Sequence, residues 1–263
     1  MSKAPLQSIH CIGDSHISLF AGDDSIQPIW PKRSRDQLPW FRSYHIGPAL
    51  AYNLTRDGTN SQGREKLFQV IDQEVPEAAI VLLCFGEIDC RVHLVKQSQQ
   101  KNLAPIDVVD ACLDEYFKLV AHLLERGFRV IVYNAVASWP KARAFRQRER
   151  DGYATFGTRE ERLEMIRLFN TGAKKRCASC GALFLENEPH ITAGGKPRGW
   201  FFFDSIHLSQ KAMPPTLMEL TKLLPELEID VPVWREPSLM VRLADWFAGR
   251  RKRVLKELGK LGK

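Results

Sequence analysis

Among its 263 residues, the chain has no apolar run near the ~20 that a membrane-spanning helix needs. It has no Gly-x-Gly-x-x-Gly and no Walker-type phosphate loop, which argues against nucleotide chemistry. Metal-ligand spacing is missing too. His10, His16, His45, His93, His122 and His190 are not joined by any H-x-x-x-H pattern, and Cys177-Ala-Ser-Cys180 has no second pair to complete a zinc site. No metal and no cofactor are therefore expected. The six cysteines read as reduced thiols, with Cys11 and Cys84 packed in apolar runs as small hydrophobes. Residues Met1 to Ser8 are too short and polar for a secretory signal, so the expected location is cytoplasmic.

Excess charge is also scarce over most of the chain. The net +7 is concentrated between Ser238 and Lys263, where eight basic residues face two acidic ones, a net +6. The body is close to neutral, which excludes a nucleic-acid footprint spread over the fold. In the tail, Met240, Leu243, Phe247, Val254, Leu258 and Leu261 recur at helical intervals among the Arg and Lys residues. Such a basic amphipathic helix could lie on an anionic membrane, contact a partner, or dock on its own domain. Three prolines, Pro225, Pro232 and Pro237, mark residues 225–237 as a linker to it.

Five apolar runs are present: Ile9 to Gly13, Ser43 to Gly47, Ala79 to Phe85, Phe128 to Val136 and Ala182 to Leu185. The third lacks polar alternation, as a central parallel strand should. Helical patterns fit between them: a short one from Pro48 to Leu54, then Arg64 to Val75, Pro105 to Arg126 stopped by Gly127, and Thr158 to Cys180 stopped by Gly181. This alternation predicts an open parallel sheet with helices on both faces. The irregular stretches Gly22 to Phe41, Trp139 to Gly157 and Glu186 to Phe203 fall where loops carry specificity.

Two short segments at opposite ends of the body carry the chemistry. Gly13-Asp14-Ser15-His16 follows the first apolar run, and Asp204-Ser205-Ile206-His207 precedes a helix. A serine hydroxyl is a weak nucleophile until a base takes its proton, and a carboxylate that fixes the base's tautomer improves it. Gly47 and Gly86-Glu87-Ile88-Asp89 stand after the second and third runs, on the rim where α/β sheets bind ligands.

Taken in order, these four segments resemble the sequence blocks of the SGNH (GDSL-type) hydrolase superfamily over about residues 8 to 222. The resemblance implies a flavodoxin-like three-layer α/β/α sandwich with a five-stranded, mainly parallel sheet over residues 1–224, and cleavage of esters, including carbohydrate acetyl groups. It implies Ser15 as nucleophile, His207 as general base, Asp204 as its orienting carboxylate, and the N–H groups of Ser15 and Gly47 as oxyanion donors. The third block departs from the pattern: the family's asparagine is replaced by Ile88, which cannot donate a hydrogen bond. Loss of such a donor costs about 10²–10³ in rate. Another donor replaces it, or turnover is slow, or the site no longer hydrolyses.

Arg91 is the preferred substitute, since a guanidinium stabilises developing negative charge. Glu87, Asp89 and Arg91 are accordingly the candidate substrate-binding residues; their alternative role is an ion-pair network shaping the loop. The Gly86 to Arg91 stretch looks like a variant block of subgroups that accompany polysaccharide biosynthesis. Trp30, Trp40, Trp139 and Trp200 lie in the irregular stretches, where they would stack on sugars or fill cores. Three functions follow: a carbohydrate or small-ester hydrolase, an O-acetyltransferase using the same triad, or a glycan-binding assembly protein that keeps the fold without turnover. The expected partner is a small-molecule or glycan ester.

Overall fold

Five aliphatic segments form one parallel sheet: β1 (Ile9–Gly13), β2 (Phe41–His45), β3 (Ile80–Cys84), β4 (Arg129–Tyr133) and β5 (Leu183–Leu185). Their order is β2-β1-β3-β4-β5, the 2-1-3-4-5 order of flavodoxin-like folds. The computed structural model describes residues 8–138 and 153–227, together with 229 and 231. The chain divides into Met1–Asp230 and Val231–Lys263. The expected helix over 238–263 and most of the expected linker over 225–237 lie outside the described residues, as does Trp139.

The helices are α1 (Ser18–Ala21), α2 (Gly63–Glu74), α3 (Leu94–Lys101), α4 (Pro105–Glu125), α5 (Arg159–Cys180), α6 (Glu188–Ile191) and α7 (Met213–Leu223). Alternation along the strands sorts them into two layers. Ile12, Val81, Leu83, Val130 and Val132 join one core with Leu67 and Val70 of α2, Val109 and Leu113 of α4, and Ile166 and Phe169 of α5. On the other face, Phe20 of α1 packs edge-on against Phe41 and Tyr133, and α7 packs on β5. The result is a three-layer α/β/α sandwich. Among the described residues no helix is long and apolar enough to cross a membrane.

Local chemistry sets the element ends. Pro105 stands at the start of α4, where its missing N–H costs nothing. Thr158 and Glu161 form a reciprocal capping box on α5, and Gly181 closes that helix in the left-handed region.

Several boundaries differ from the sequence expectation for reasons outside the segment itself. β2 forms two residues earlier than Ser43–Gly47, because its register is set by β1, which pairs Ile9 with Phe41 and Gly13 with His45. Only a single 3₁₀ turn, Ala51–Asn53, stands where a helix over Pro48 to Leu54 is predicted. The Asp89 carboxylate accepts from the backbone N–H groups of Ala51 and Tyr52 there. β4 ends at Tyr133 rather than Val136, since the Ala135 N–H donates to the Asn170 side chain and leaves the ladder. A π-helical turn, Asp89–His93, leads into α3, whose polar sequence shows no apolar periodicity.

Candidate active site

The carboxyl ends of β1, β2 and β3 align, with Gly13 opposite both His45 and Cys84. Gly13 admits no side chain: an added Cβ would lie 2.4 Å from the Cys84 carbonyl oxygen. Asp14 then turns the chain, its Oδ1 accepting the His16 N–H at 2.9 Å. Ser15 thereby becomes the first residue of a 3₁₀ turn, Ser15–Ile17, at the carboxyl rim of the sheet. Its own N–H belongs to the set that a helix start leaves without an intrahelical acceptor.

The second half of the site arrives from the far end of the body. Asp204 Oδ1 accepts from the backbone N–H of Ile206 (2.6 Å) and of His207 (2.7 Å), folding the loop into a tight turn. Phe202 and Leu208 pair across that turn. Gln210 ties it to the β1 side through Leu19 O (3.0 Å) and Asp24 Oδ1 (2.6 Å).

These turns bring together the three residues that the sequence separates. Ser15 Oγ lies 2.7 Å from His207 Nε2, and His207 Nδ1 lies 2.7 Å from Asp204 Oδ2. A carboxylate accepts only, so Nδ1 carries the proton and Nε2 presents its lone pair to the serine hydroxyl. His207 is 1% exposed in its side chain, whereas Ser15 is half-buried and reachable. Burial opposes ionisation of Asp204, but the hydrogen bond and charge of His207 and the two backbone donors outweigh it and hold its pKa below the ordinary value. The carboxylate therefore stays ionised.

Gly47 follows β2 with φ +91°, a backbone conformation that side chains resist, and its N–H donates to no acceptor among the described residues. His45, next to it, is buried with Nδ1 2.7 Å from Gln27 O. Burial lowers its pKa; the carbonyl opposes this and the charge of His207 adds to it.

The third block is where the expectation needs correction. Asp89 is wholly buried, and its oxygens accept from Ala51 N (2.8 Å) and Tyr52 N (3.3 Å), which shapes the loop after Gly47. Burial raises its pKa to about 6, against the opposing backbone donors. Glu87 and Arg91 form a buried pair, with Arg91 Nε 2.7 and 3.0 Å from the two carboxylate oxygens, and the guanidinium also donates to Ala154 O. Burial would lift the Glu87 carboxyl, yet Arg91 and His16 hold it at about 2. This is the ion-pair alternative rather than a free cation aimed at substrate. Ile88 opens the π-turn with no side-chain cap.

Sequence reasoning passed over His16, Phe203 and Tyr153. Their rings surround His207: His16 at 4.9 Å between centroids, Tyr153 at 5.4 Å and Phe203 at 5.5 Å, nearly parallel. Adjacency to Ser15 and to Asp204 was the available signal for two of them. His16 Nε2 sits 3.4 Å from Glu87 Oε2, an ion-pair separation without hydrogen-bond alignment. Burial opposes its charge, but Glu87 and Asp14 prevail and raise its pKa. A chain of contacts thus runs Arg91–Glu87–His16–His207. Trp30 is buried, and Trp200 carries Lys211 Nζ 3.8 Å from its ring centroid.

No family model and no curated protein matches the chain in sequence. In backbone trace it is similar to a GDSL-like lipase from Bacteroides thetaiotaomicron (10% identity, TM-score 0.48, covering 84% of this chain and 88% of that one). It is also similar to an aryl esterase from M. smegmatis (15%, 0.46, 84% and 99%). A third likeness is to a catalytic mutant of an acetylxylan esterase from Geobacillus stearothermophilus (12%, 0.46, 87% and 97%).

Proposed function

We propose that this chain is a serine-dependent ester hydrolase of SGNH type that removes an acyl group, with acetyl on a carbohydrate as the favoured substrate. The reading is carried by one observation: the hydrogen-bonded relay from Ser15 Oγ through His207 to Asp204. Ser15 Oγ attacks the acyl carbonyl carbon while His207 Nε2 takes the hydroxyl proton. The tetrahedral intermediate collapses, the C–O bond to the alcohol breaks, and His207 returns the proton to the leaving oxygen. Water then adds to the acyl-enzyme, its proton passing to His207; the Ser15 Oγ–acyl bond breaks, His207 returns the proton to Oγ, and the acid departs. Asp204 remains ionised throughout and balances the imidazolium.

The N–H groups of Ser15 and Gly47 are the proposed oxyanion donors, two where the resemblance implies a third at position 88. Glu87 and Arg91 act on the reaction through His16 and the loop, not by touching substrate. Labelling with a fluorophosphonate and mapping the adduct tests the reading. Modification at Ser15, abolished in Ser15→Ala and His207→Ala, is expected. A folded protein that never labels, or labels elsewhere, overturns it in favour of a glycan-binding role. Incubation with an acetyl ester and a sugar acceptor separates hydrolysis from transfer: free acetate is expected, and acetylated sugar in its place would assign the transferase.

A further inference from the structure

A cleft of about 530 Å³ opens along β2, and its lining includes none of Ser15, Asp204 or His207. Its volume lies in the range of small-molecule sites. Trp30, Tyr44 and His10 form the aromatic wall: Trp30 meets Tyr44 edge to face at 5.9 Å, and His10 stacks on Tyr44 at 5.9 Å with Nδ1 3.2 Å from its hydroxyl. Burial pushes the Tyr44 phenol up to about 12, and burial with the charge of Arg42 lowers His10.

Three cations border this wall: Lys32, Arg33 and Arg42. Among the described residues none has a carboxylate within ion-pair distance, although the charge of Arg42 acts on the Asp36 carboxyl; Arg42 donates to its neighbour's carbonyl, Phe41 O. Of the two acids in the lining, Asp36 is held by the Ser43 N–H, which reaches both its oxygens at 3.2 Å, and Glu74 ends α2. Ser34 Oγ, also in the lining, is buried with no hydrogen-bond partner. Three cations against two acids, beside an aromatic wall in one concavity, describe a site for an anion carried on a ring.

We propose that the cleft binds a small ring compound bearing a phosphate or carboxylate. The anionic oxygens meet Lys32, Arg33 and Arg42, and the ring lies against Tyr44 and Trp30. This site does not depend on the ester-hydrolase reading, since no residue is shared.

Isothermal titration of the full chain with inorganic phosphate, phenyl phosphate, benzoate and glucose 6-phosphate tests it. At least one ring compound is expected to bind with Kd below about 1 mM, at least about tenfold tighter than phosphate. The better ring, flat or saturated, identifies the source, and benzoate against phenyl phosphate identifies the anion. Lys32→Glu with Arg33→Glu, both exposed, should weaken binding at least about tenfold. Should that pair unfold, Arg42→Gln provides the same reading. Added salt should weaken binding as well. Ser15→Ala should bind as the parent does. No ring compound binding with Kd below about 1 mM, equal binding of free phosphate, indifference to the charge changes, or loss in Ser15→Ala would each overturn the proposal.

Discussion

Both carboxylate oxygens of Asp204 are bound to His207, one by its backbone N–H and one by its ring Nδ1, each at 2.7 Å. The same side chain thus builds the turn that presents the histidine and selects its tautomer. Asp204→Asn keeps the size but offers an amide where a second acceptor is needed. Esterase activity should fall by about 10³–10⁴-fold, while circular dichroism shows a folded protein. Activity within tenfold of the parent would remove Asp204 from the proposed relay.

Glu87 is the hub of the buried network behind His207. Its folded pKa of about 2 lies below the ordinary 4.5, so the carboxylate's stabilising contribution is full above pH 4.5 and is lost as pH falls towards 2. The difference corresponds to about 3 kcal/mol. Glu87→Gln leaves Arg91 and His16 facing a neutral partner and should lower unfolding free energy at pH 7 by about 3–5 kcal/mol. Its denaturation midpoints should also vary less between pH 4.5 and 2 than the parent's. An unchanged pH profile would show that the pair is not coupled to folding.

Gly13 is required by contact rather than by turn geometry. In Gly13→Ala the new methyl would meet Cys84 O at 2.4 Å and Ile17 Cγ2 at 2.5 Å, which forces β1 away from β3. Destabilisation of about 3 kcal/mol is expected in chemical denaturation, together with slower fluorophosphonate labelling because Ser15 stands two residues on. A fully stable variant would mean that the strands yield without cost.

The start of α5 offers a milder test. Thr158 Oγ1 accepts the Glu161 N–H at 3.2 Å, and Glu161 Oε2 accepts the Thr158 N–H at 2.6 Å. Thr158→Ala should cost about 0.5–2 kcal/mol with ester turnover unchanged, read by thermal melting beside an activity assay.

What the chain wrote locally, it wrote legibly. The aliphatic run at β3, the proline and glycine around α4, and Thr158 and Gly181 around α5 each name their element, because period, caps and stops act over a few residues. Gly-Asp-Ser-His and Asp-Ser-Ile-His carried the three polar groups for the same reason: short motifs hold their own turn geometry. Long-range partners decided the rest. Asp89 looked like a rim carboxylate until folding placed the Ala51 and Tyr52 N–H groups against it. For Arg91 the sequence leaves two roles open, substrate contact or a local ion pair, and the structure pairs it with Glu87 four residues back and with Ala154 O from a distant loop. His16 looked idle until His207 arrived beside it. The Ala51 and Tyr52 N–H groups stand 38 and 37 residues from Asp89, and His207 is far from His16 in sequence, so only the tertiary structure supplies these partners.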